Sequence, residues 1–118
     1  MDAADLKQRT KLFALRAIRL VESLPKGPGA WVIGRQLMRS GTSVGANYRA
    51  ACRAKSVADF VSKMGTVEEE LDESCYWMEL LVESGLVKAE KLESITAEAD
   101  ELLAITVTSI KTARKRKR

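Results

Sequence analysis

The chain contains no histidine, which removes the commonest general base, the Ser–His and Cys–His nucleophile pairs, and every histidine-containing metal site. Its two cysteines, Cys52 and Cys75, form no C-x-x-C motif, so a sulfur-ligated structural zinc is excluded as well. Proline is confined to Pro25 and Pro28, and the seven glycines do not recur at the short intervals that a many-stranded sheet requires. Long apolar runs are missing too, with neither a secretory signal at the start nor a membrane-spanning stretch anywhere. These absences predict a cytoplasmic protein with reduced thiols, no metal, no cofactor, no membrane contact and no enzymatic constellation.

What remains is a 118-residue chain of 13.0 kDa, 46% hydrophobic and 31% charged, the size and balance of one globular domain with one core. The net charge of +4 conceals a division. Residues 1–55 carry a balance of +8, residues 56–110 a balance of −10, and residues 111–118 six further cations. The first half can therefore attract the second while one terminus stays strongly basic.

Apolar residues recur at three- and four-residue steps in four stretches, the signature of amphipathic helices. Leu6, Thr10, Phe13, Ala17, Leu20 and Leu24 trace the first, which ends before Pro25 and the turn Lys26-Gly27-Pro28-Gly29. Ile33, Leu37, Ser40, Val44, Asn47 and Ala51 trace the second, with a bend expected near Gly41. The third starts at Ser56, an N-cap followed by Asp59, and stops at Ser84-Gly85. The fourth begins near Ala89, carries Leu92, Ile95, Ala99, Leu102, Thr106 and Ile110, and then fades. The expectation is an all-α, antiparallel up-down-up-down four-helix bundle over residues 1–110 with a basic tail at 111–118. A hairpin turning near Lys55 sets Cys52 and Cys75 roughly 24 Å apart at helical rise, which excludes a disulfide between them.

The stretch Arg39–Lys55, RSGTSVGANYRAACRAK, is the least generic. Read structurally, its glycines allow close helix approach, Ser40 and Thr42 bond backbone carbonyls, and Asn47 satisfies buried polar groups. Hairpin register then brings Arg39 to Glu68 and Asp72, giving a polar layer of Arg39, Asn47, Glu68 and Asp72 that fixes helix alignment. Read functionally, Arg35, Arg39, Arg49, Arg53 and Lys55 form a basic surface on which Tyr48 stacks against a base. The terminal cations Lys111, Arg114, Lys115, Arg116, Lys117 and Arg118 repel one another and predict a mobile arm that is either solvated or bound to a polyanion. The acidic run Glu68-Glu69-Glu70 with Asp72-Glu73 points around a helix rather than at one ion, so a solvated face is expected. Trp31, Tyr76 and Trp77 read as core or interface aromatics.

The segment SGTSVGANYRAACRAKSVADFVSKMGTVEEELDESCYWMELLVESGLV, and above all TSVGAN (Thr42–Asn47), Asp59-Phe60 and E-x5-YWMELL ending in SG-L-V (Glu70–Val87), resembles the four helix bundle protein family. Members of that family include proteins encoded in intervening sequences of bacterial 23S ribosomal RNA. The likeness extends from about Leu6 to Ile110. It implies a ring-like homopentamer and a nucleic-acid role, and a more distant, fold-level similarity joins the bundle to the accessory variability determinant of diversity-generating retroelements. Many family members carry N-I-A-E-G where this chain has Asn47-Tyr48-Arg49-Ala50-Ala51, so no role of that glutamate transfers here. The functional expectation is a non-enzymatic oligomer that binds RNA or DNA. The alternative is an adaptor that presents an apolar groove to a ribosome- or polymerase-associated protein.

Overall fold

A computed structural model describes residues 1–116, and within them the chain is all-α. Helix α1 spans Ala3–Glu22, α2 Pro28–Cys52, α3 Val57–Glu83 and α4 Ala89–Lys115. The four pack into an elongated body with extents of 51 × 21 × 21 Å. Lys117 and Arg118, expected in the basic tail, lie outside the described residues.

Local chemistry starts and stops these helices. Asp2 caps α1 by accepting from the Asp5 amide at 2.9 Å, while the Asp5 carboxylate accepts from the Asp2 amide at 3.3 Å. Ser56 caps α3 through the Asp59 amide at 3.0 Å, as its sequence predicts. Pro28 begins α2, where its missing N–H costs no helical bond. Gly85, at φ 81°, turns the chain out of α3 in a conformation that side chains with a Cβ resist.

The core runs along the bundle axis and is filled by Phe13, Leu37, Val44, Met64, Leu71, Leu81 and Leu102, all essentially inaccessible. Each such side chain contributes roughly 1.5–3 kcal/mol on burial. One polar contact crosses this layer: the Ser40 and Ser74 hydroxyls lie 2.8 Å apart, and Ser74 donates to the Glu70 carbonyl. No buried side-chain nitrogen or oxygen among the described residues lacks a partner.

Two expectations change here. Gly41 does not interrupt α2, and its role is close packing. A Cβ there would stand 2.8 Å from Ala17 Cβ, and one at Gly45 3.2 Å from Thr10 Oγ1, so these positions let α1 lie directly on α2. Nor does the chain leave the fold at Lys111. Ile110 and Ala113, three residues apart, remain buried, and the apolar stripe carries α4 to Lys115. Both cysteines are free.

Candidate nucleic-acid interface

At 100° per residue, Arg35, Arg39, Arg49 and Arg53 fall within about 40° of one line along α2, on the side away from Leu37 and Val44. All four are exposed. Their electrostatic states differ. Arg39 is bound to α3 through Glu70, at 3.2 Å, and through Glu73. Arg35, Arg49 and Arg53 make no ion pair within the described residues. The expected row of four cations is therefore three open charges and one neutralised by its neighbours.

The polar layer forms at the expected level with different members. Glu70 and Glu73 hold Arg39, not Glu68 and Asp72. Counting along a hairpin fixes height, whereas one residue of error turns a side chain by 100°, and Glu68 lies 200° around α3 from Glu70. Asn47 does not join the layer. Its Nδ2 donates to the Ser43 carbonyl one turn back in α2, at 2.8 Å. The hydroxyl of Thr42 likewise bonds the Met38 carbonyl at 2.7 Å.

Tyr48 is not a surface stacking platform. It is 6% exposed within the core cluster, and burial with the nearby Cys52 thiol drives its phenol far above the usual range. The aromatic that is available is Trp31, 63% exposed, with the Arg35 guanidinium 4.8 Å from its ring centroid. From sequence alone Trp31 is expected in the core or at an interface. Its place one turn before Arg35, at the start of α2, was the signal that pairs the two. Trp77 is half-buried and donates its indole N–H to Glu73 at 3.0 Å, while Tyr76 packs edge-on against it and is exposed.

A second concentration of positive charge caps one end of the bundle. Arg53 and Lys55 sit at the α2–α3 turn, Lys111, Arg114 and Lys115 on the last turns of α4, and Arg116 at its C-cap, all exposed. The acids at this end are engaged. Asp59 pairs with Lys63 at 2.6 Å and accepts from the Lys55 amide at 3.1 Å, and these contacts hold its carboxyl below the usual aspartate range. The Asp5 amide does the same for Asp2. Of the expected terminal cations, Lys111, Arg114 and Lys115 thus stand on a helix at fixed angular positions instead of in an arm, and Arg116 caps it. Arg35 is separated from Arg53 by about 27 Å along α2 and belongs to the Trp31 end.

Among the described residues, no cluster of three or more histidine, cysteine, aspartate or glutamate side chains is close enough to hold a metal ion. No helix there is long and apolar enough to cross a membrane. Cys75, half-buried beside Asp100, has its thiol pushed up to about 11, chiefly by burial, which suppresses its thiolate at neutral pH.

Residues 3–108 match the family model described as 23S rRNA-intervening sequence protein. The chain belongs to this family. A crystal structure of a protein with unknown function from the S23 ribosomal protein family of Bacteroides thetaiotaomicron is 35% identical, with a TM-score of 0.87. The likeness covers 94% of this chain and 99% of that one, so it spans the entire bundle and not a shared hairpin. None of the curated proteins matches. Family membership thus fixes the four-helix fold and leaves the function to be argued from the surface.

Proposed function

We propose that this member of the 23S rRNA-intervening sequence protein family is a non-enzymatic, cytoplasmic up-down-up-down bundle that assembles with itself and binds structured RNA, or another polyanion. The observation that carries this reading is a set of exposed cations without acidic partners among the described residues: Arg35 and Arg49 on α2, Arg53 and Lys55 at the α2–α3 turn, and Lys111, Arg114, Lys115 and Arg116 at the end of α4. Cations at fixed positions on helices meet phosphates with little ordering cost, and phosphate contact supplies most of the affinity in sequence-independent binding. Trp31 offers a face to an unpaired base beside Arg35. Self-association is supported by Val32 and Tyr76, apolar groups left exposed on the sides of α2 and α3. A homopentamer is the state that the family resemblance implies, and it repeats each weak cationic contact around a ring.

Mobility shift with a structured RNA across several salt concentrations tests the binding. Six phosphate contacts to a duplex give a log–log salt slope of about −5. The double charge reversal Arg49→Glu/Arg53→Glu is expected to flatten the slope by about two contacts. Affinity indifferent to salt and to that reversal would refute the reading. Deleting residues 111–118 is the wrong variant, because it strips the buried Ala113 from α4. Solution mass by light scattering tests assembly, with five chains of 13.0 kDa as the expected particle.

A further inference from the structure

Helices α1 and α4 are unequal in length, 20 and 27 residues, and their seam is the thinnest in the bundle. Side-chain contacts along it run from Arg16 with Ser94 to Arg9 with Glu98 and Glu101. Farther along, Ala3 on α1 and Ala104 with Ile105 on α4 already border open space. From there α4 continues to Lys115, about 15 Å at helical rise, past the start of α1. The strip left beside it presents Ile105, Ser109, Thr112 and Arg116, spaced by four, three and four residues on one helical face. Across from it stand Tyr48 and Ala51 of α2 and Phe60 of α3. The resulting groove encloses about 870 Å³ and is walled by helices.

Its chemistry selects an occupant. The lining is dominated by small apolar surface, with Ala51, Ala54, Ala104 and Ala113 among its residues. Surfaces of this kind let another helix approach to the usual 8–10 Å between axes. The rim carries Lys55 and Arg116, neither paired with an acid among the described residues. The nearby carboxylates Asp2 and Asp59 are occupied by the Asp5 amide and by Lys63 with the Lys55 amide.

We propose that the groove between α4 and the α2–α3 turn docks an amphipathic helix of a partner protein, apolar on the inserted face and flanked by glutamates or aspartates. An RNA strand would satisfy the rim and leave the alanine floor uncovered, so the lining favours the helix. The inference shares Lys55 and Arg116 with the proposed RNA-binding surface but rests besides on the apolar floor of the groove, which phosphate contact does not use.

Cys52 lines the groove and serves as its reporter. Cys75 reacts slowly for the reason given above, so maleimide at neutral pH modifies Cys52 first. The probe is a synthetic helical peptide of roughly 18 residues, about 27 Å long, with leucines at three- and four-residue steps and glutamates elsewhere. On the full chain it is expected to slow Cys52 modification saturably by about fivefold in ~0.05 M salt, and far less in ~0.5 M. The same peptide with lysines for glutamates leaves the rate unchanged. Lys55→Glu/Arg116→Glu abolishes the protection. Thr112→Trp, which fills the groove from an exposed position, does so too, and circular dichroism of both variants reports intact helices. Failure of the glutamate peptide to protect, or equal protection by both peptides, overturns the proposal. Protection by oligouridylate but not by the glutamate peptide also overturns it and gives the groove to RNA, whereas loss of RNA binding on the α2 face leaves it untouched.

Discussion

The two seams that α1 makes are built by opposite means. Against α2 it lies backbone to side chain, with Ala17 and Thr10 pressed onto Gly41 and Gly45. Against α4 it is held at arm's length by Arg9, whose guanidinium donates to both oxygens of the Glu98 carboxylate, at 2.6 and 3.0 Å, and reaches Glu101 at 3.1 Å. Close packing tolerates no added volume and is indifferent to salt. A bridge of long charged side chains tolerates reshaping and weakens as ions screen it. Helix α1 is thus pressed into one neighbour and bridged to the other by long side chains, and the groove opens beyond that bridge, where α4 outruns α1.

The largest effect should come from crowding the tight seam. Gly41→Leu forces a side chain into the space held by Ala17, and overpacking of this kind costs 1–3 kcal/mol or more, against about 1 kcal/mol gained in helix propensity. A net loss of about 2 kcal/mol in urea unfolding is expected; a variant as stable as the parent would dissolve the contrast. Arg9→Ala should cost less, about 1–2 kcal/mol, because the pair is only partly buried, and the deficit should shrink in high salt. A deficit equal at all salt concentrations would make Arg9 a packing residue. Gly65→Ala sharpens the comparison in the other direction. A Cβ there meets nothing within 4 Å, so thermal unfolding should show a gain of roughly 0.5–1 kcal/mol.

The smallest effect is electrostatic. Asp59, lowered by Lys63 and the Lys55 amide, contributes stability that is present above the ordinary aspartate pKa and is lost as pH falls through its depressed value. The parent's advantage over Asp59→Asn should therefore vanish in acid. An advantage that persisted there would assign the residue's role to something other than its charge.

The helices were legible in the sequence because period, caps and breakers agreed: Ser56, Ser84-Gly85 and the turn around Pro25 and Pro28 each stand where the structure changes direction. Azimuth was less legible. The α2 stripe reads equally well through Val44, Asn47 and Ala51 or through Val44, Tyr48 and Ala51. Only packing against α1 and α3 decides for the second, which buries the aromatic expected to stack and turns Asn47 onto its own helix. At the carboxyl end, the like charge of Lys111 and Arg114–Arg116 predicts an arm, whereas the buried Ile110–Ala113 step keeps α4 going. The groove had no linear signature at all, since it arises from the unequal lengths of two helices distant in sequence.

Finally, the Ser40–Ser74 contact acts on alignment more than on strength. The aliphatic residues one turn to either side, Leu37 and Val44 on α2 and Leu71 and Met78 on α3, offer similar shapes, and a slide of α2 along α3 by about 5.4 Å would still bury grease against grease. Such a slide parts the two hydroxyls and sets each against hydrocarbon. A pair of small oxygens thus cuts a single notch in a smooth rail, and the chain finds one parking position where the oily surfaces alone would offer several.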